Sequence, residues 1–342
     1  MPSAPPRLAA RRYLRALLAA SAVGAVAACG AGLPLGIGGR DELWGIAAPP
    51  DARSRASAAA HSASLDVVVD GWIALDSVTG APSVFSAPAG TVQVSDAGPR
   101  ARRMAVISTF TGNRAHPELV RALAGNDAAL GRVAAAVGDA AAGFDGVVVD
   151  FEDHDARDLD ALVKVVRALG DTLRRKGVSP VVVAVPAGDT AAYPARAMLA
   201  GADLVLVKLY DEHWGGSTPG PVASPDWVRR QLGVRVAEVG GRRLVASLPL
   251  HGYAWRTGGG AQLVSFEQAR ALAATAGEDL ERDPAARTLR ALRPGEWEVW
   301  VSDATLVREL AAEARRSGVR RVALWRLGLE DPALWGALGD GD

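Results

Sequence analysis

The sequence predicts an α/β chain folded as a (β/α)8 TIM barrel with an insertion between strands seven and eight. Three observations predict it. Short apolar runs rich in Val, Ile and Leu recur along the chain, and amphipathic helical patterns separate them. Polar and aromatic residues gather at the C-terminal ends of those runs, where barrel enzymes place their sites. The competing architecture, a doubly wound open sheet, wants a glycine-rich turn after its first strand, and this chain has none there.

The elements follow in order. A weak first strand spans 43–48 and leads into an alanine-rich helix over 54–64. The second strand covers 65–75 and the third 103–110. Between them, the Ser-, Gly- and Pro-rich stretch 76–102 predicts a hairpin-like excursion with a short helix. Helices over 117–123 and 127–142 precede the fourth strand, Gly146-Val147-Val148-Val149-Asp150. An amphipathic helix over 155–176 comes next. Its Leu159, Leu162, Val166, Leu169 and Leu173 recur at helical spacing, Arg174, Arg175 and Lys176 suit its C-terminus, and Gly177 ends it. Strands five, six and seven span 181–186, 203–210 and 243–250, with helical stretches at 193–199 and 225–239. The long segment 252–295 is the insertion, and Ser265-Phe266-Glu267-Gln268 opens a helix in it with a capping box. A short extra strand at 298–301, a helix over 305–317 capped by Asp303, and strand eight at 321–327 complete the series.

Composition narrows the partners. The 342 residues carry 38 basic and 38 acidic side chains, so no global field attracts nucleic acid or an anionic membrane. The single cysteine, Cys29, excludes an intrachain disulfide. It follows a basic start (Arg7, Arg11, Arg12, Arg15) and the apolar run 16–28, which is a signal-peptide layout. Val26-Ala27-Ala28-Cys29 also resembles a bacterial lipobox, in which the cysteine is lipidated. Residues 1–29 are therefore expected to be a signal peptide with lipidation at Cys29, 30–42 a glycine-rich flexible tether, and 43–338 the barrel. The mature protein is expected outside the cytoplasm, meeting the membrane only through that lipid anchor. The five histidines show no metal-ligand spacing, and no cofactor is expected.

The chemistry gathers at the end of strand four. Strand side chains alternate, so Gly146, Val148, Asp150 and Glu152 share one face. Two acids ending an apolar strand are costly unless they are paired or used. Opening the next helix accounts for Asp153 and Asp155, with His154 between them, but not for Asp150 and Glu152. The remaining strand ends add Trp72, Ser108-Thr109-Phe110, Tyr210-Asp211-Glu212-His213-Trp214, His251-Gly252-Tyr253 and Trp325-Arg326. Carboxylates, hydroxyls and aromatic faces on one rim suit a carbohydrate. Arg326 is expected to pair with a rim carboxylate, Asp211 or Glu330, and Trp227, Trp297, Trp300 and Trp335 to serve packing.

These residues carry a family resemblance. Phe144-Asp145-Gly146-Val147-Val148-Val149-Asp150-Phe151-Glu152 resembles the strand-four signature of glycoside hydrolase family 18, Asp-Gly-x-Asp-x-Asp-x-Glu. Lys208-Leu209-Tyr210-Asp211 resembles its strand-six Met-x-Tyr-Asp, Pro249-Leu250-His251-Gly252 its strand-seven Pro-Leu-Tyr-Gly, and Trp325 stands at the strand-eight tryptophan. The stretches 210–224 and 325–332 are similar to the bacterial branch of spore-cortex-type hydrolases and of domains fused to polysaccharide deacetylases and glycosyltransferases. The resemblance spans about 43 to 335.

It implies a retaining mechanism assisted by the substrate, in which the 2-acetamido carbonyl oxygen is the nucleophile. Glu152 would act as general acid and then as base toward water. Asp150 would orient the acetamido group and stabilise the oxazolinium. Tyr210 would hydrogen-bond the carbonyl oxygen, Asp211 would help position it, and Trp325 would floor the cleavage subsite. Asp145, Trp72, His213, Trp214 and Tyr253 are expected to contribute to substrate binding. One residue departs from the pattern: the family's middle aspartate is Val148 here, so Asp150 lacks its carboxylate partner and any coupled titration with it. The implied substrate is a β-1,4-linked N-acetylhexosamine polymer (chitin-like, peptidoglycan or exopolysaccharide) acted on by a monomer. The alternative is a weakly active or inactive glycan-binding barrel tethered to the envelope; lectin members of the family have usually lost the acid that Glu152 supplies.

Overall fold

A computed structural model describes residues 41–85 and 101–339 of the chain. The expected signal peptide with Cys29, the tether up to residue 40, and residues 86–100 of the excursion between strands two and three lie outside the described residues.

In chain order the strands are β1 (Glu42–Ile46), β2 (Val67–Leu75), β3 (Pro82–Phe85), β4 (Arg102–Ser108), β5 (Gly146–Asp150), β6 (Val181–Pro186), β7 (Leu204–Lys208), β8 (Leu244–Pro249), β9 (Gly252–Arg256), β10 (Ala261–Val264), β11 (Glu281–Arg282), β12 (Leu289–Arg293), β13 (Trp297–Val301) and β14 (Arg321–Trp325). The helices are α1 (Ala52–His61), α2 (Pro117–Ala124), α3 (Asp127–Ala140), α4 (Leu159–Arg175), α5 (Ala195–Met198), α6 (Pro225–Val239), α7 (Phe266–Thr275), α8 (Ala304–Arg316) and α9 (Leu334–Gly339). The parallel strands run β1-β14-β8-β7-β6-β5-β4-β2, and β2 pairs with β1 to close the barrel. The (β/α)8 fold expected from the sequence is the fold observed. β3 turns back antiparallel on β2, as the hairpin-like excursion predicts.

Alternation along each strand builds two cores. Val147 and Val149 of β5, Val205 and Val207 of β7, and Val181, Val183 and Val185 of β6 face the helices. Val148, Val182, Leu204, Leu206, Met104 and Val106 point inward and fill the barrel with Trp44 and Ile46. Val148 is 3% exposed, so it is a filled position of an apolar layer. A bulge between Val69 and Gly71 shifts the phase of β2 by one residue. Trp72, rather than Gly71, therefore continues the inward row and packs at the top of the interior.

Local sequence explains the element ends. Gly146 starts β5 because a Cβ there would sit 2.6 Å from the Pro180 carbonyl oxygen. Gly177, at φ +80, lets the chain leave α4 in the left-handed region. Asp155 accepts from Arg157 N–H in a capping box with Asp158, as the helix-start reading of 153–155 requires. Asp303 and the box Ser265–Gln268 cap α8 and α7.

The insertion between β8 and β14 is a small domain wall. Its five strands form an antiparallel sheet, β10-β9-β13-β12-β11, with α7 packed on one face. Sequence reading anticipated only α7 and β13. The other strands have two to five residues, interrupted by Arg and Gly, too short for a period-two pattern to stand out. Tyr253, Trp255 and Trp300 cover the opposite face.

Candidate active site

The inward rows of β5 and β7 end in charge. Below Asp150 the β5 row is Val148; below Lys208 the β7 row is Leu206 and Leu204, all in the apolar interior. At the C-terminal rim, Lys208 Nζ lies 2.6 Å from Asp150 Oδ1 and also contacts Glu152 Oε1. Burial raises the Asp150 carboxyl above the ordinary range; the Lys208 ammonium opposes this and the Glu152 charge adds to it. Burial disfavours charge on Lys208 too, but Asp150, Tyr210 and Glu152 outweigh it, and the ammonium is held well above its usual range.

The segment after β5 is fixed by a single hydroxyl. Tyr193 OH donates to the Phe151 carbonyl and accepts from His154 N–H, both at 3.0 Å. Glu152 lies between those two anchors, so its backbone is held from both sides. Asp153 then takes φ +60, a left-handed conformation uncommon for a residue with a Cβ. His154 is buried, its Nδ1 is 3.4 Å from Asp158 Oδ2, and Arg121 closes on Asp158 at 2.9 Å.

Beyond β7 the chain carries Tyr210 and Asp211. Asp211 also sits in the left-handed region, at φ +68. Burial pushes its carboxyl up to about 6, Lys208 pulling the other way, Glu152 adding to the rise, and a hydrogen bond from Tyr253 lowering it. Tyr253 itself is pushed up to about 12 by burial and then by Asp211. The rings of Tyr210 and Trp325 lie near parallel, 14° apart with centroids at 6.1 Å. His251 packs edge-on between Tyr210 and Tyr253, and burial pushes it down to about 4, so it is neutral. The Trp325–Arg326 peptide is cis.

Asp150, Glu152, Lys208, Tyr210 and Asp211 line one cavity of about 530 Å³ at this rim, and Trp227 and Gln231 of α6 form part of its wall. The four residues assigned to catalysis from the sequence are thus brought together. Trp325 backs Tyr210, Tyr253 faces Asp211, and Trp72 closes the barrel top. Trp214 stands on the rim, 54% exposed.

Asp145 and Arg326 are placed differently from expectation, and His213 has partners in its own loop. Asp145 lies at the opposite, N-terminal end of β5, where its carboxylate accepts from Arg103 N–H at 2.7 Å; a strand separates it from the cavity, which it does not line. His213 ties its own loop together, its ring Nδ1 donating to the Thr218 carbonyl at 3.0 Å and its ring lying against Gly220. Arg326 pairs with Asp51 at 3.2 Å, not with Asp211 or Glu330. Sequence reasoning missed Lys208, Tyr193 and the cavity-facing side of Trp227. Lys208 was detectable, since it is in phase with Leu204, Leu206 and Tyr210; Tyr193 gives no such signal, because its role is a long-range contact. Among the described residues no group of His, Cys, Asp and Glu is arranged to hold a metal, and no helix is long and apolar enough to cross a membrane.

Comparison with known proteins follows the same lines. No family model matches the chain. It is 25% identical over 214 residues to the cortical fragment-lytic enzyme of Bacillus subtilis (strain 168), covering 58% of this chain and 50% of that protein. The chain spans about a third to a half of the length of the curated relatives it matches. The spore cortex-lytic enzyme SleL of Bacillus megaterium QM B1551 superposes with a TM-score of 0.75 at 18% identity, over 88% of this chain and 74% of that one. A family 18 chitinase from Cycas revoluta, solved with (GlcNAc)3, gives 0.74 at 17% identity, over 87% and 99%. At such identities the superpositions show a shared fold. The chain therefore resembles family 18 chitinases and cortex-lytic enzymes in fold as well as in its motifs.

Proposed function

We propose that the chain is a glycoside hydrolase cleaving β-1,4-linked N-acetylhexosamine polymers by a substrate-assisted retaining mechanism. The observation that carries this reading is the convergence of Glu152, Asp150, Tyr210 and Asp211 on one cavity at the C-terminal rim of the barrel. The relatives' names, a cortical fragment-lytic enzyme and a chitinase bound to an N-acetylglucosamine trimer, support an N-acetylated glycan as substrate.

In this mechanism Glu152 gives its proton to the glycosidic oxygen. The C1–O bond breaks with its electron pair on the leaving oxygen, and the substrate's acetamido carbonyl oxygen bonds C1 to form a positive oxazolinium. Asp150 holds the acetamido N–H and faces the developing positive charge, while Tyr210 and Asp211 set the carbonyl's position. Glu152, now a carboxylate, takes a proton from the water that opens the ring and restores the configuration. The near-parallel Tyr210 and Trp325 rings offer a flat apolar surface for the sugar. Delivery across the membrane by the signal segment, with Cys29 lipidated, suits a polymer found outside the cell. Labelling with a radioactive fatty acid, lost in Cys29→Ser, tests that anchor.

Glu152→Gln tests the activity: it should abolish release of reducing ends from an N-acetylated glycan and leave glycan binding intact. One observation favours a second reading. Lys208 Nζ contacts Glu152 Oε1 and so occupies one oxygen at the position of the acid, which suits an envelope-tethered barrel that binds glycan without cutting it. Wild-type protein that binds an N-acetylated glycan and never releases product would establish that reading.

A further inference from the structure

We propose that Lys208 is a positioning residue of this site, whose ammonium, clamped between Asp150 and Glu152, fixes their separation and favours the ionised form of Asp150. The role rests on the glycosidase reading and deepens it. Lys208 Nζ meets Asp150 Oδ1 at 2.6 Å and contacts Glu152 Oε1, so one ammonium spans both acids. Its side chain is 11% exposed, against 20% for Asp150 and 41% for Glu152. An ammonium at that depth persists only with anionic partners. Beneath Asp150 its own strand supplies hydrocarbon, Val148, at 3% exposure. Other strands supply no substitute at that level, since Val106 and Val182 flank Val148 in register. The charge that holds Asp150 must therefore come from β7.

The groups facing Lys208 are few. Asp150 and Glu152 come from β5 and its continuation, Tyr210 and Asp211 from the continuation of β7, and Tyr193 from the segment after β6. Ser247 of β8 and Pro186 of β6 are its register neighbours and carry no charge. While Glu152 is protonated, Lys208 and Asp150 form a neutral pair. When the proton moves to the glycosidic oxygen, the new carboxylate forms beside the ammonium, which keeps its own proton. One ammonium then stands against the carboxylates of Asp150 and Glu152, with Asp211 beside them, and the oxazolinium meets a net negative charge. Lys208 thus holds the two acids apart without turning the site repulsive to the cation.

Lys208→Met keeps the length and removes the charge, and Lys208→Gln is the second neutral variant should Met disturb the interior. Carboxyl-carbon NMR titration of Asp150 and Glu152, assigned with Asp150→Asn and Glu152→Gln, reads the proton count directly. The neutral variant should raise the Asp150 midpoint by about one unit or more, a tenfold change in proton affinity. The acid limb of kcat/KM should move up with it, and kcat at neutral pH should fall roughly a hundredfold with KM nearly constant. Lys208→Arg should keep the midpoint and still lose kcat, because the guanidinium cannot occupy the same point between the acids. Unchanged midpoints in both neutral variants would overturn the proposal. A wild-type enzyme with no glycosidase activity would sink the reading beneath it while the titration still decides the role of Lys208.

Discussion

The two ends of the barrel use the same side chains in opposite ways. At the N-terminal end, Asp66, Asp145 and Asp203 each stand one residue before a strand. Asp145 donates its N–H to the Arg103 carbonyl at 2.7 Å, and its carboxylate accepts from Arg103 N–H at 2.7 Å. Asp203 makes the same pair of hydrogen bonds with Val181, at 2.7 and 2.7 Å, and Asp66 with Leu43, at 2.8 and 2.9 Å. These acids clasp the first residues of neighbouring strands. At the C-terminal end, Asp150, Glu152 and Asp211 face a cavity; the first two share Lys208, and Asp150 and Asp211 are raised above their ordinary range. Satisfied acids hold the barrel together; the crowded acids at the other end are the ones proposed for chemistry, and burial of their charge costs stability.

Mutations can break this division. The largest effect should come from the cavity end: Glu152→Gln or Asp150→Asn should cut the rate of reducing-end release by about a thousandfold, within the range of acid–base and electrostatic contributions, with no loss of melting temperature. Tyr193→Phe should follow. It removes the hydroxyl joining Phe151 and His154, costs about 1–3 kcal/mol in urea unfolding, and lowers kcat because Glu152 is less firmly held. Asp145→Ala should cost about 1 kcal/mol in the same assay and leave kcat per folded molecule unchanged. A kcat effect there as large as at Asp150 would erase the distinction between the ends.

The smallest effect is a matter of sign. Asp211 moves from an ordinary 3.8 to about 6 in the fold, so the folded state prefers its protonated form. Its contribution to stability is complete below the ordinary value and is lost as pH rises through about 6. Asp211→Asn stays neutral and tolerates the left-handed backbone, so it should melt about 2 °C above wild type at neutral pH and level with it in acid. A gain that is the same at both pH values would show that desolvation of the charge is not its source.

Much of this was legible in the sequence for a physical reason. Inward and outward rows alternate strictly, so the β-branched runs revealed the barrel strands, and Asp150 and Glu152 revealed the rim. Asp145 misled because a motif match says nothing about which end of a strand a residue occupies; its place before Gly146, and not its acidity, was the informative feature. Lys208 was passed over because it stands where the resembling pattern has methionine, and attention went to Tyr210 and Asp211 beside it. The Arg326–Asp51 pair and the Tyr193 bridge join residues 275 and 42 positions apart, respectively, or join loops to loops, and no local period encodes such contacts. The insertion sheet was hidden by strands too short to show alternation.

In the proposed reaction the cavity end hydrolyses a glycan with the help of the substrate's own acetamido group. The most direct test compares reducing-end release by wild-type protein from one β-1,4-linked hexosamine polymer in N-acetylated and fully de-N-acetylated form. Substrate assistance requires release from the first, none from the second, and loss of the first in Glu152→Gln. Equal cleavage of both forms would contradict it.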